Sequence, residues 1–172
     1  MVCHPGPPII DRMALASDLP ITATTARAAV PIASVLLATD LSATSTPAEE
    51  EALRLAVSLR ARLIAVSVID PGTLRLPGGR FRARVDQVRD EREVVAQRLV
   101  ERARDLGVPT AFLVWEGDPG EAIVEAAASE RVDLIVIGTH GRRGVNRSLF
   151  GSVSDHVVRN APCPVVVVRG PS

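Results

Sequence analysis

At 172 residues the chain is long enough for one ordinary hydrophobic core and short for two, so a single domain with trimmings is expected. Apolar residues make up 47% and charged residues 23%, and no apolar run approaches the roughly 18 residues of a membrane span. The 20 basic residues balance 20 acids, which removes a global pull toward nucleic acid or an anionic membrane; all 20 are arginine, which excludes a P-loop lysine, a Schiff base or a pyridoxal anchor.

Residues 1–31 are rich in Pro, Ala, Thr and Ser and keep neither a strand nor a helix period, so they are expected to form a mobile amino-terminal extension to a domain spanning 32–172. Met13 is an alternative translation start that would leave every motif below intact. This stretch carries no basic segment followed by an apolar core, so it is not read as a signal peptide, and a cytoplasmic location is expected. Cys3 and Cys163 make a poor disulfide framework, in keeping with a reducing compartment.

Order is expected to begin at "IASVLLATD", an apolar run of strand length with a polar end. The following "LSATSTPAEEEALRLAVSLR" reads as a helix. Thr46 is placed as its N-cap, Pro47 at the first helical position and Glu49 as the third member of a capping box, with Ala52, Leu55, Ala56 and Leu59 on one apolar face. "ARLIAVSVID" is a second strand and "PGTLRLPGGR" has turn chemistry. Residues 81–106 are predicted helical, with Val85, Val88, Val95, Leu99 and Leu106 facing inward and Gly107 and Pro109 ending the run. The arginines from Arg75 to Arg92 interleave with acids and read as a solvated helix face.

"TAFLVWEG" is a third strand, in which Trp115 is assigned to packing. Asp118, Pro119 and Glu121 then supply cap, first-turn proline and third-position acid for a short helix to about Glu130. "VDLIVIG" and "PVVVVR" are the fourth and fifth strands, and Cys163 before the latter is read as structural. Alternating strands and helices with continuously apolar strands predict an open parallel α/β sheet covered on both faces. A ligand would bind beyond the carboxyl ends of the first and fourth strands, where "ATD" and "GTHG" fall.

Between the fourth strand and the next predicted helix lies "IGTHGRRGVNRSLFGSV". Gly138, Gly141 and Gly151 allow backbone to approach a ligand, Ser152 is placed as the helix N-cap, and the backbone N–H groups near Ser152 and Val153 are oriented for an anion. Arg142, Arg143 and Arg147 add positive charge. From this chemistry alone the segment reads equally as a phosphate cradle or as a tight strand-to-helix connection. His140 has no partner acid in view and is not assigned to catalysis. The cysteines and histidines offer no convincing zinc spacing, so no structural metal is expected.

The spacing from Gly138 through Gly141 to Gly151 and Ser152 resembles the G-x2-G-x9-G-(S/T) pattern of the nucleotide-binding universal stress proteins. The resemblance continues through "VLLATDLS", "VSVID", "GDPGEAIVEAAASERVDLIVIGTHGRRG" and "SVSDHVVRNAPCPVVVVR", covering the chain after its amino-terminal extension. It implies a five-stranded parallel sheet in the order 3-2-1-4-5, Rossmann-like and similar to adenine-nucleotide alpha-hydrolase folds. It further implies adenine and ribose at Ala38, Thr39 and Asp40, with Asp40 accepting from ribose hydroxyls. An adenine contact at Val68, sugar and α-phosphate beside Ile137 and Gly138, and phosphates at Gly141, Gly151, Ser152 and Val153 are implied likewise, with Arg142 placed beside them.

The cofactor expected on this resemblance is ATP, with magnesium carried on its phosphates and Asp40 the one nearby acid. Asp40 also has a plain reading as the cap of the turn that follows it. The implied role is a stress-response or signalling module acting as a homodimer through "PVVVVR", without nucleic-acid or membrane partners. A slow ATP hydrolase or phosphotransfer enzyme is the alternative, weakened by the absence of lysine, of a Walker pattern and of paired carboxylates. A third reading is an interaction module with a vestigial nucleotide loop.

Overall fold

Why the apolar stretches lack a two-residue alternation is explained by where they lie in the sheet. A computed structural model describes residues 31–73, 81–139 and 151–170. Its strands β1 (Ser34–Ala38), β2 (Arg62–Ile69), β3 (Thr110–Glu116), β4 (Leu134–Gly138) and β5 (Val165–Val168) are parallel, in the order β3-β2-β1-β4-β5. Helices α1 (Thr46–Leu59), α2 (Phe81–Asp105), α3 (Pro119–Ser129) and α4 (Ser152–Asn160) connect them. This is the expected open, five-stranded architecture. The readings of the 1–30 extension, of turn residues 74–80 and of loop 140–150 lie outside the described residues.

Strand β1 is central and every one of its residues is buried. Val35 and Leu37 enter one core with Ala48, Ala52, Leu53 and Ala56 of α1 and Leu99 and Ala103 of α2. Leu36 and Ala38 enter the other with Ile123, Ala126 and Ala127 of α3 and Val157 of α4. Alternate residues thus face opposite helical layers, both apolar, which is why the strand reads as a continuous run. Leu36 and Leu37 are fully buried, worth about 1.5–3 kcal/mol each in transfer free energy.

Two helix faces differ from expectation. On α1 the buried residues are Ala48, Ala52, Leu53 and Ala56; Leu55 is only partly buried and Leu59 is exposed. On α2, Val95 and Leu106 are exposed and Val88 half-buried, while Val85, Ala96, Leu99 and Ala103 are buried. The larger apolar residues misdirected the reading, because close helix-to-sheet packing selects the small alanines. As expected, Gly107 follows α2 in a left-handed conformation, φ 71°, and Val108 N–H closes the helix end on the Ala103 carbonyl at 2.9 Å. Trp115 and Cys163 pack against the α3–α4 core. Burial, with a contribution from Asp133, pushes the Cys163 thiol above its ordinary value and keeps it protonated.

At the amino ends of β1 and β4 the sheet is held by a side-chain clasp. Asp133 Oδ2 accepts from Ala33 N–H (2.9 Å), Ser34 N–H (2.9 Å) and the Ser34 hydroxyl (2.8 Å). The Ser34 hydroxyl and these amides hold the Asp133 carboxyl below its usual range.

Candidate functional site

The direction of the chain reverses between β1 and β4. From β1 it moves outward through β2 to β3; from β4 it moves the other way to β5. In open parallel sheets the place where a ligand crevice forms is beyond the carboxyl ends of the two strands at such a reversal, here β1 and β4. Ala38 pairs with Ile137 on one side and Val66 on the other, so β1 and β4 end within a residue of each other while β2 runs on to Ile69.

At the end of β1, Thr39 is buried, and its N–H makes the last strand bond, to the Val66 carbonyl at 3.0 Å. Its hydroxyl donates to Glu49 Oε1 at 2.8 Å and accepts from Leu41 N–H at 2.9 Å. Asp40 Oδ1 receives Ser42 N–H at 3.0 Å and the hydroxyls of Ser42 and Ser45, both at 2.6 Å. The Thr44 and Ser42 hydroxyls join the same cluster, 2.7 Å apart. Together these bonds support Leu41 at φ 60°, a left-handed conformation that a leucine adopts at a cost of about 1–2 kcal/mol.

This arrangement corrects the expected start of α1. Ser45, not Thr46, is the N-cap, and its side chain makes no cap bond because its hydroxyl is committed to Asp40. Glu49 closes no capping box, since its carboxylate is turned to Thr39. The carboxylate of Asp40 does organise the turn, as its plain reading held.

At the end of β2, Ser67 is wholly buried, and Val68 is half-buried against the α3–α4 core. Arg92 of α2 reaches both: its Nη1 donates to the Ser67 hydroxyl at 2.9 Å and to the Val68 carbonyl at 2.6 Å. The reading of Arg92 as part of a solvated face is therefore overturned. The signal was present in the spacing, since residue 92 falls on the stripe defined by the buried Val85, Ala96, Leu99 and Ala103. Arg89, three residues earlier, pairs with Glu116 at the end of β3.

The end of β4 supplies buried Ile137, half-buried Gly138 and buried Thr139. Thr139 N–H donates to the Val168 carbonyl at 2.9 Å, and the Thr139 carbonyl accepts from Gly151 N–H at 3.0 Å. Gly151, at φ −68° and ψ 162°, is the N-cap of α4, so Ser152 occupies the first helical position rather than the cap. A Cβ on Gly151 would lie 3.0 Å from the Thr139 carbonyl oxygen, so the close approach of helix start to strand end favours glycine. With no cap side chain, the N–H groups of Ser152, Val153 and Ser154 receive no cap from a described residue and lie at the positive end of the helix. Ser152 is exposed, whereas Val153 leans on the α3–α4 core.

The fold thus gathers Ala38, Thr39, Asp40, Val68, Ile137, Gly138, Gly151, Ser152 and Val153 at the carboxyl end of the sheet. Gly141 and Arg142 lie outside the described residues. Among the described residues, this end of the sheet offers an anchored carboxylate on one side and first-turn helical N–H donors without a partner on the other, matched to a ligand with hydroxyls near one end and an anion at the other.

Residues 32–169 match the family model described as the universal stress protein family. The chain belongs to this family. A universal stress protein of Methanocaldococcus jannaschii is 34% identical over 139 residues, covering 80% of this chain and 82% of the relative. Among solved structures, a protein of the same archaeon, published as a test of assigning biochemical function from structure, superposes with a TM-score of 0.74 at 25% identity, covering 83% of this chain and 99% of that one. A universal stress protein solved in complex with cAMP superposes with a TM-score of 0.62, also at 25% identity, covering 81% and 98%. The universal stress protein fold accounts for the strand order, and no helix among the described residues is long and apolar enough to cross a membrane.

Proposed function

We propose that this universal stress protein binds an adenine nucleotide, ATP with magnesium, across the β1–β4 crevice and serves as a cytoplasmic stress-response module without a catalytic cycle of its own. The observation that carries this reading is the junction of β4 with α4: Gly151, itself without a side chain, donates its N–H to the Thr139 carbonyl and brings the start of α4 against the end of β4. Helical N–H donors there are open to phosphate oxygens. The cAMP complex of a structural relative supports a nucleotide as the ligand class.

In this reading Asp40 accepts from the ribose hydroxyls, Ala38, Thr39 and Val68 border the adenine, and Ile137 and Gly138 flank the sugar and α-phosphate. Gly141, Gly151, Ser152 and Val153 receive the phosphates, with Arg142 adding charge. Magnesium would be held chiefly by phosphate oxygens, and Asp40 is the acid at hand to complete its shell.

The proposed homodimer forms through β5. This edge strand has four half-buried valines and one side without a strand neighbour in the sheet, an edge that natural sheets avoid exposing. Light scattering on the purified chain should return twice the monomer mass; a monomer would end the dimer proposal.

The test of the binding reading is calorimetric titration of ATP with magnesium into the nucleotide-stripped wild type and a Gly141→Ala, Gly151→Ala double variant. Saturable binding in the wild type that is lost in the variant is expected. Absence of binding to the folded wild type would overturn it and leave a protein working through its surfaces.

A further inference from the structure

The end of β2 carries an unusual guest for a base pocket. Parallel pairing advances two residues per rung on each strand, so the rung after Thr39 N–H to Val66 carbonyl would run from Leu41 N–H to the Val68 carbonyl. That rung is not made. Leu41 N–H turns instead to the Thr39 hydroxyl, and the Val68 carbonyl lies one rung past the end of β1 without a strand partner on that side. The guanidinium of Arg92 takes it, at 2.6 Å, while the same nitrogen is steadied by the wholly buried Ser67 hydroxyl at 2.9 Å.

We infer that Arg92 is a specificity-determining residue of the crevice: seated on the Val68 carbonyl, it admits 6-oxo purine nucleotides alongside 6-amino ones. This rests on the nucleotide reading above, with the base edge directed at Val68. A lone carbonyl oxygen there would favour the 6-amino group of adenine, which donates, and reject a 6-oxo group, which accepts. Here the oxygen already holds a charge-assisted bond. An incoming 6-amino donor must share that oxygen with a cationic N–H donor, which weakens it. A 6-oxo group in the same place meets the positive guanidinium and is attracted. The Ser67 bond and the helical stem of Arg92 oppose its withdrawal, so the donor character of the site is built into the fold.

ATP and ITP differ at the purine 6-position and the adjoining N1 and share every ribose and phosphate contact, so their affinity ratio isolates this effect. Calorimetric titrations of both into wild type and Arg92→Met should give a wild-type ratio within about threefold of unity, and a preference for ATP raised about tenfold in the variant, the equivalent of one hydrogen-bond difference. Arg92→Gln, with a neutral donor, should move the ratio about threefold in the same direction and carries the comparison if Arg92→Met does not fold. A ratio that the variants leave unchanged, or a wild type that strongly prefers ATP, would overturn the role of Arg92 while the nucleotide site stands. A wild type that binds neither would overturn both.

Discussion

Replacing Asp40 by asparagine separates its two roles. Its Oδ1 accepts from Ser42 N–H, the Ser42 hydroxyl and the Ser45 hydroxyl at 3.0, 2.6 and 2.6 Å. An asparagine keeps one acceptor oxygen for those donors and loses the charge, which should cost about 1 kcal/mol. An alanine loses all three bonds and leaves the Thr39 hydroxyl, which accepts from Leu41 N–H, to support Leu41 at φ 60°. Bonds to a charged acceptor contribute about 1.5–3 kcal/mol each but are not additive in one cluster, so about 2–4 kcal/mol is expected for Asp40→Ala. At about 3 °C per kcal/mol for a domain of this size, thermal melts should fall by about 3 °C for Asp40→Asn and about 6–12 °C for Asp40→Ala. If the carboxylate also accepts from ribose hydroxyls, Asp40→Asn should lose about tenfold to a hundredfold in ATP affinity despite its near-native melt. An asparagine variant that binds ATP as the wild type does would refute the ribose role and leave Asp40 as a turn cap.

Two further perturbations test the framework. The Asp133 carboxyl is held below its ordinary value of 3.8, first by the Ser34 hydroxyl, so it stabilises the fold above that pH and the contribution fades as pH falls through the lowered folded value. Urea unfolding between pH 2 and 7 should show wild type and Asp133→Asn converging toward the acid end; parallel curves would contradict the clasp. Gly120 on α3 faces His156 on α4 so closely that an added Cβ would lie 2.8 Å from the ring Cγ. Gly120→Ala should cost about 1–3 kcal/mol by overpacking, and His156→Ala should recover much of it, whereas simple additivity in that double-mutant cycle would deny the contact.

What the sequence disclosed well was whatever local chemistry decides. Asp118 caps α3 as read, accepting from Gly120 and Glu121 N–H at 2.9 and 3.1 Å, because its partners are two and three residues away. The strands were legible since a doubly covered sheet leaves continuous apolar runs. Where a distant group competes, the reading slipped. Thr46 and Glu49 look like a capping box for α1, yet Ser45 takes the cap position with its hydroxyl on Asp40, and the Glu49 carboxylate turns to Thr39. Arg92 looks like one more solvated charge, and only its place on the inward stripe of α2, joined to a polar residue within the apolar run 63–69 of β2, points to Ser67. At the α4 start, Gly151 took the cap assigned to Ser152, where the Thr139 carbonyl oxygen, 3.0 Å from the place of a Cβ, crowds any side chain.

The most direct test of the central claim is to follow backbone amide resonances while ATP and magnesium are added. Shifts should be largest at Thr39 to Ser42, Ser67 to Ile69, Ile137 to Thr139 and Gly151 to Ser154, and small at the opposite sheet end, around Ala33, Ser34 and Asp133. Resonances that do not move, or that move only at that opposite end, would contradict a nucleotide site in the β1–β4 crevice.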